Sequence, residues 1–350
     1  MHAWLLAPDN FTPPARTPWG GTAIVNRYKR DLGLDPSTRV GESWELSAGP
    51  EFPSRVAGTD VTLADLAARD PSHLLGGEAA RGCTSLLVKL LDAADNLSVQ
   101  IHPADDYAGL APDECGKPES WYVLDAVAGC GLYLGLADGA TPERMREALS
   151  SGADVSALLA FVPVAPGDFF VVDAGTAHAI GRGVTLVEPQ VVRAGRKGVT
   201  YRYWDWNRRY DARGNPSPDG VSRALHVEHA LAVTDWERPR GEQFLRESRV
   251  RAGRADAGKA LSVMPLCGPS GSPLASHDLD VARLAGRGAL ELAAHGRLRA
   301  LTVIEGAVEV RGTGGVVTVA GGRTAVIAAR ADVSFKSEGV HAVLSSVAAS

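Results

Sequence analysis

Ser98-Val99-Gln100-Ile101-His102-Pro103 reads as an extended strand. Side chains on a strand alternate between its faces, so Gln100 and His102, two residues apart, point the same way. Two further stretches carry matching groups: Glu119 in Gly116-Lys117-Pro118-Glu119, and His178 in Gly175-Thr176-Ala177-His178-Ala179-Ile180. A lone histidine is most simply a hydrogen-bonded core or surface residue. Two imidazoles, a carboxylate and an amide oxygen at strand-like positions form a donor set that suits a divalent ion such as zinc, with room for a water or a substrate oxygen.

Working outward, most of the chain reads as short strands of Val, Leu, Tyr and Phe bounded by Gly, Pro and Asp, among them 86–91, 97–102, 121–125, 131–136, 169–173 and 185–187. Their even spacing predicts a mainly β protein, a sandwich or closed double sheet of the jelly-roll type found in cupins. Helices are expected in two places. Thr62 and Asp65 form a capping box for a short helix ending near Asp70-Pro71. Thr141, Pro142 and Gly152 are placed to cap, start and stop a helix over 142–150, the heart of a small helical insertion at about 141–160.

From about Trp236 to Gly258 the chain is rich in Arg and Glu and reads as a solvated connector. Beyond it, 300–310, 315–319, 324–329 and 342–347 read as strands joined by Gly-rich turns. The expected division is therefore a catalytic cupin domain over 1–235 and a smaller cupin-like β-domain over 236–350. The second carries His277, His295 and His341, too scattered for a ligand constellation, and is expected to be metal-free.

A chain of 350 residues with 45% hydrophobic and 22% charged residues is ordinary for a globular protein of two or three packed units. A formal net charge of −5 gives no reason to expect nucleic acid or an anionic membrane as partner, so an anionic ligand must be held by local cations. The N-terminal residues lack a basic leader, no apolar run reaches membrane-spanning length, and Cys83, Cys115, Cys130 and Cys267 show neither a Cys-x-x-Cys pair nor dense spacing. Reduced thiols in a cytoplasm are expected.

Trp19-Gly20-Gly21-Thr22, Gly41-Glu42-Ser43-Trp44, Lys89 within Leu-Val-Lys-Leu-Leu-Asp, the Ser98–Pro103 run, Gly-Lys-Pro-Glu-Ser-Trp-Tyr and Gly-Thr-Ala-His-Ala-Ile occur in that order. In this the chain resembles the type I mannose-6-phosphate isomerases of the short bacterial form, closely over about residues 15–235 and in general pattern beyond. The resemblance implies one zinc per chain on Gln100, His102, Glu119 and His178, and interconversion of mannose 6-phosphate and fructose 6-phosphate through an enediol. It implies a pocket Glu and Arg at Glu188 and Arg202, with Arg202 stabilising negative charge and Glu188 and Lys117 as candidates for proton transfer or for orienting the sugar. Lys89 and Ser98 match positions at the phosphate end, and Trp19 and Arg193 complete the expected substrate contacts, with Arg196 and Lys197 as further cations. The partner is then a small sugar phosphate, met by a monomer or a homodimer.

The chain departs from the family pattern in a longer segment between Glu188 and Arg202, in Glu-Pro-Gln at 188–190, and in Asp173 before the Gly175–His178 turn. These changes border the pocket and bear on the sugar and phosphate specificity. Two alternatives stay open from the residues: an isomerase of another aldose, phosphorylated or not, and a non-haem iron cupin dioxygenase built on the two His and the Glu.

Overall fold

The computed structural model describes residues 1–269 and 272–348. Its strands form sheets of eight, six and five, with a small two-stranded ribbon beside them, and the side-chain alternation of the strands fixes how the sheets stack. In strand Leu86–Asp92, Leu86, Val88 and Leu90 enter one core with the eight-stranded sheet, whereas Leu91 enters another, shared with the five-stranded sheet. Strand Glu119–Ala126 divides likewise, with Tyr122 on the first side and Trp121 and Val123 on the second. The six-stranded sheet is thus the central layer, and near-continuous apolar strands follow from burial on both faces.

The five-stranded sheet has its own outer cover. Val99 and Ile101 of strand Val99–Ile101, and Tyr201 and Tyr203 of strand Tyr201–Trp204, pack with Met145 of helix Pro142–Ser151 and with Ala230 and Leu231 of helix Val227–Val233. The polar members of these strands are left facing the central sheet. The ladder over 97–102 is shorter than expected: the His102 carbonyl is taken by Gly175 N at 3.0 Å, and Pro103 has no N–H to continue the pairing.

The expected helix signals operate as read. Thr62 Oγ1 accepts from Asp65 N at 3.1 Å and Asp65 Oδ2 accepts from Thr62 N at 2.8 Å, opening helix Leu63–Arg69, after which Pro71 starts a second short helix, Pro71–Leu75. Thr141 caps helix Pro142–Ser151, which stops at Gly152 with φ 71°. The charged stretch after Trp236 is more than a connector. It forms helix Gly241–Ser248, whose Phe244 enters the inner core, and strand Arg249–Arg251, which pairs with Asp168–Val172 of the central sheet. Its charges hide a buried aromatic and an edge strand because only one face of each is covered.

Three long strands, Leu279–Leu292, Arg299–Gly312 and Val333–Val347, dominate the eight-stranded sheet. Residues on the two sides of position 235 pair across it, since the N-terminal strand Ala3–Leu5 joins this sheet beside Arg323–Ile327. Among the described residues the four cysteines are free thiols, and no helix is long and apolar enough to cross a membrane.

Where the eight-stranded and central sheets meet, His341 Nε2 lies 2.9 Å from the Tyr122 hydroxyl, with the rings edge to face. Burial, aided by the nearby Arg283 charge, pushes His341 down to about 4. Its folded pKa is below the usual value of about 6.5, so between these pH values the unfolded chain binds more protons and stability falls as pH falls. His341→Gln, which keeps a hydrogen-bonding group and removes the titration, is expected to reduce the loss of unfolding free energy between pH 7 and pH 4.5 by on the order of 1–3 kcal/mol. Urea titrations at the two pH values measure it; equal acid losses in both proteins would assign the acid sensitivity to other groups.

Candidate active site

The inner faces of the two smaller sheets converge on one site. From the five-stranded sheet come Ser98, Gln100, His102 and Arg202, together with His178 of strand His178–Ile180, which sits opposite Gln100 in the register. From the central sheet come Lys89, Glu119, Glu188 and Gln190. Glu188 pairs in register with Lys89, and Gln190 with Glu119.

The ligating atoms of His102, Glu119 and His178 lie within 4.8 Å of one another, and all three residues are buried. Each imidazole is fixed through Nδ1: His102 donates to Val199 O at 2.8 Å and His178 to Thr176 O at 2.9 Å. That leaves each Nε2 as a lone pair turned inward, the orientation that backbone carbonyls impose on metal-binding histidines. His102 Nε2 then stands 3.0 Å from Glu119 Oε1, and His178 Nε2 stands 3.8 Å from Glu119 Oε2. Acceptor faces acceptor, and His102 Nε2 and Glu119 Oε2 are buried without a hydrogen-bond donor. Buried acceptors in that state call for a cation. The Gln100 side-chain amide reaches the same place, 3.4 Å from His178 Nε2.

Electrostatics prepare the same set. Burial, with Lys117 nearby, lowers the His102 pKa, and burial with the neighbouring His102 takes His178 to about 3, so both rings are neutral ligands at ordinary pH. Burial alone would raise the Glu119 carboxyl, but the Lys117 ammonium holds it well below the usual carboxylate range. Lys117 Nζ lies 2.9 Å from Glu119 Oε1; its pKa is raised in spite of burial, by Glu119 and Glu188. Glu188 goes the other way. Burial and the Glu119 charge push its carboxyl up against the opposing pull of Lys89 and Lys117, while Trp121 Nε1 donates to its Oε1 at 3.0 Å.

Beside this cluster opens a cavity of about 920 Å³, lined by Gln100, Lys117 and Gln190 together with Trp19, Lys89, Ser98, Glu188 and Arg202. Lys89 Nζ is 4.7 Å from the Trp44 ring centroid, 3.8 Å from Glu42 and 4.0 Å from Glu188. Arg202 Nε donates to Ser98 Oγ at 3.2 Å. Arg193 also borders the cavity, but its guanidinium is held by Asp105 at 2.6 Å and Asp278 at 2.8 Å, which ties the longer loop after Glu188 to the eight-stranded sheet. Lys197 is exposed and paired with Asp113, and Arg196 contacts the Glu114 carbonyl.

Gln190 and Arg223 belong to this site and escape sequence reasoning. Gln190 Nε2 donates to Glu119 Oε1, and a reading of period two from Glu188 points to it. Arg223 lies in a loop that returns to the cavity through Asp205, and no local pattern announces it.

The type I phosphomannose isomerase catalytic-domain family matches residues 15–120. A mannose-6-phosphate isomerase of Streptococcus mutans is 37% identical over 225 residues, 63% of this chain, which thereby spans 65% of that relative's length. A putative mannose-6-phosphate isomerase of Bacillus subtilis is 33% identical over 234 residues, 66% of this chain and 68% of the relative. The crystal structure of the mannose 6-phosphate isomerase from Bacillus subtilis superimposes with a TM-score of 0.76 at 26% identity, covering 99% of both chains. With the motifs in order, the fold matched along its length and a buried donor set beside a cationic cavity, the chain belongs to the type I phosphomannose isomerase family.

Proposed function

We propose that the protein interconverts mannose 6-phosphate and fructose 6-phosphate, with one zinc per chain held by Gln100, His102, Glu119 and His178. The observation that carries the reading is the juxtaposition of buried acceptors lacking a donor with Lys117, Glu188 and Arg202 around one cavity. Zinc, when bound, supplies Lewis-acid stabilisation of charge developing on the sugar oxygens.

The chain's own groups account for the rest. Aldose–ketose exchange removes the proton on C2, shifts a hydroxyl proton from O2 to O1 and returns a proton to C1. Glu188, whose carboxyl pKa is raised by burial and the Glu119 charge, is in its ionised form a strengthened base, suited to accept a carbon-bound proton and return it. Trp121 Nε1 fixes the carboxyl's orientation. Lys117 holds Glu119 ionised, and its ammonium orients a sugar hydroxyl. Arg202 steadies the enediolate, and Lys89 and Ser98 receive the phosphate end. This cationic lining favours a phosphosugar over the oxygenase alternative. The reading also places the protein in a reducing cytoplasm, as a monomer or homodimer.

Binding energy from the non-reacting phosphate positions the reacting carbons, so its removal is expected to lower turnover as well as affinity. In a coupled assay, mannose is expected to be used at least about a hundredfold less efficiently than mannose 6-phosphate, the scale of one lost charged interaction site. A chelator is expected to stop the reaction and zinc to restore it. Similar efficiencies for the two sugars would instead identify a free-sugar isomerase with a remodelled 189–199 loop.

A further inference from the structure

Arg202, Arg208 and Arg223 gather at one wall of the site with few counter-charges. Asp205, itself buried, accepts from Arg223 Nε at 2.7 Å and Nη2 at 2.5 Å and from Arg208 Nη2 at 2.6 Å; Arg208 Nη1 also reaches the half-exposed Asp95 at 2.9 Å. Arg202 pairs with no carboxylate among the described residues; its donors go to Ser98 Oγ and, from Nη1, to Ala224 O at 2.8 Å. Three guanidiniums therefore face two carboxylates, an excess of one positive charge. Arg202 and Arg223 both line the cavity.

Adjacent like charges repel, and their partial burial removes the water that would screen them. Burial and the Arg223 charge together lower the Arg202 pKa, which is the electrostatic mark of a pair lacking its anion. We infer that Arg223, with Ser98, clamps the phosphate of the sugar, whose charge also relieves the repulsion between Arg223 and Arg202, and so sets the preference for phosphorylated over free substrate. This rests on the phosphosugar reading above and adds a residue to it.

The placement fits the substrate's length. Ser98 and Gln100 share a face two residues apart, a step of about 6.6 Å along the strand, so the Ser98 end of the wall that Arg223 lines stands off from the donor set as the non-reacting end of a sugar phosphate requires. Bidentate capture by Asp205 holds the Arg223 guanidinium rigid, with Nη1 bonded to nothing among the described residues. A pre-oriented fork of this kind suits phosphate better than a mobile ammonium does. Asp205 keeps Arg208 as partner when Arg223 is removed, so its buried carboxylate is not left without a cation.

The test is titration calorimetry with inorganic phosphate on the metal-loaded wild type, Arg223→Gln and Arg223→Lys, together with the ratio of efficiencies on mannose 6-phosphate and mannose. Arg223→Gln is expected to raise the phosphate Kd by about tenfold or more and to shrink the ratio by a similar factor, with Arg223→Lys intermediate. Phosphate binding unchanged, or both sugars losing efficiency together with the ratio kept, overturns the inference and leaves Arg223 a support for Asp205. Should Arg223→Gln fail to fold, Arg223→Lys carries the comparison, since it keeps a charge on Asp205. A wild type that binds phosphate through Arg223 yet leaves mannose 6-phosphate unchanged refutes the proposed reaction and not the clamp; active enzyme whose phosphate binding ignores Arg223 does the reverse.

Discussion

His102→Ala and His178→Ala are each expected to yield folded protein that retains no divalent ion and has lost isomerase activity by three or more powers of ten. The size follows from the several kcal/mol of charge stabilisation that a bound metal supplies to a developing oxyanion. The two imidazoles are neutral and are held through Nδ1 by backbone carbonyls, so each offers Nε2 with little rotational freedom. Truncating either leaves the Glu119 carboxylate, the opposite imidazole and the proposed Gln100 donor, one fewer than the proposed set of four. The fold has other anchors. The apolar cores on both outer sides of the two smaller sheets include neither histidine. Circular dichroism and thermal midpoints close to wild type, with metal content near zero by elemental analysis, are the expected pair of results. Stoichiometric zinc in either variant would falsify the ligand assignment, and unchanged activity after loss of metal would remove zinc from the proposed chemistry.

The part of this site that is legible in the sequence is the part set by local periodicity. Ser98, Gln100 and His102 share a face because a strand repeats every two residues, and Val99 and Ile101 pack outward against the helices accordingly. The helix start at Thr62 and the stop at Gly152 are equally local, each depending on hydrogen bonds within a few residues. What is not legible depends on register between distant segments. Gln190 meets Glu119 across 71 positions, and Arg193 meets Asp278 across 85, so a loop cation that composition assigns to the substrate is spoken for by the far sheet. The first residues pair with Arg323–Ile327, a contact that no local signal encodes. Arg223 is hidden for the same reason, since its position follows from Asp205 rather than from its neighbours in sequence.

Arg202→Ala is expected to lower kcat by roughly 10²–10³ with a smaller change in KM, the scale for removing one preorganised stabiliser of transition-state charge. Arg202 lies opposite Gln100 in the register of strands Val99–Ile101 and Tyr201–Trp204, so its backbone is set beside the donor set, while Ser98 Oγ and the Ala224 carbonyl hold its guanidinium. No carboxylate neutralises it, which keeps its charge available for an oxygen that becomes anionic only as the carbon-bound proton leaves. Arg202→Lys keeps a charge but loses the two fixed contacts, and is expected to recover a minor part of the activity. Steady-state constants with mannose 6-phosphate separate the roles. A variant with unchanged kcat and a raised KM would place Arg202 in uniform binding of substrate and transition state, moving the stabilising role to Lys117.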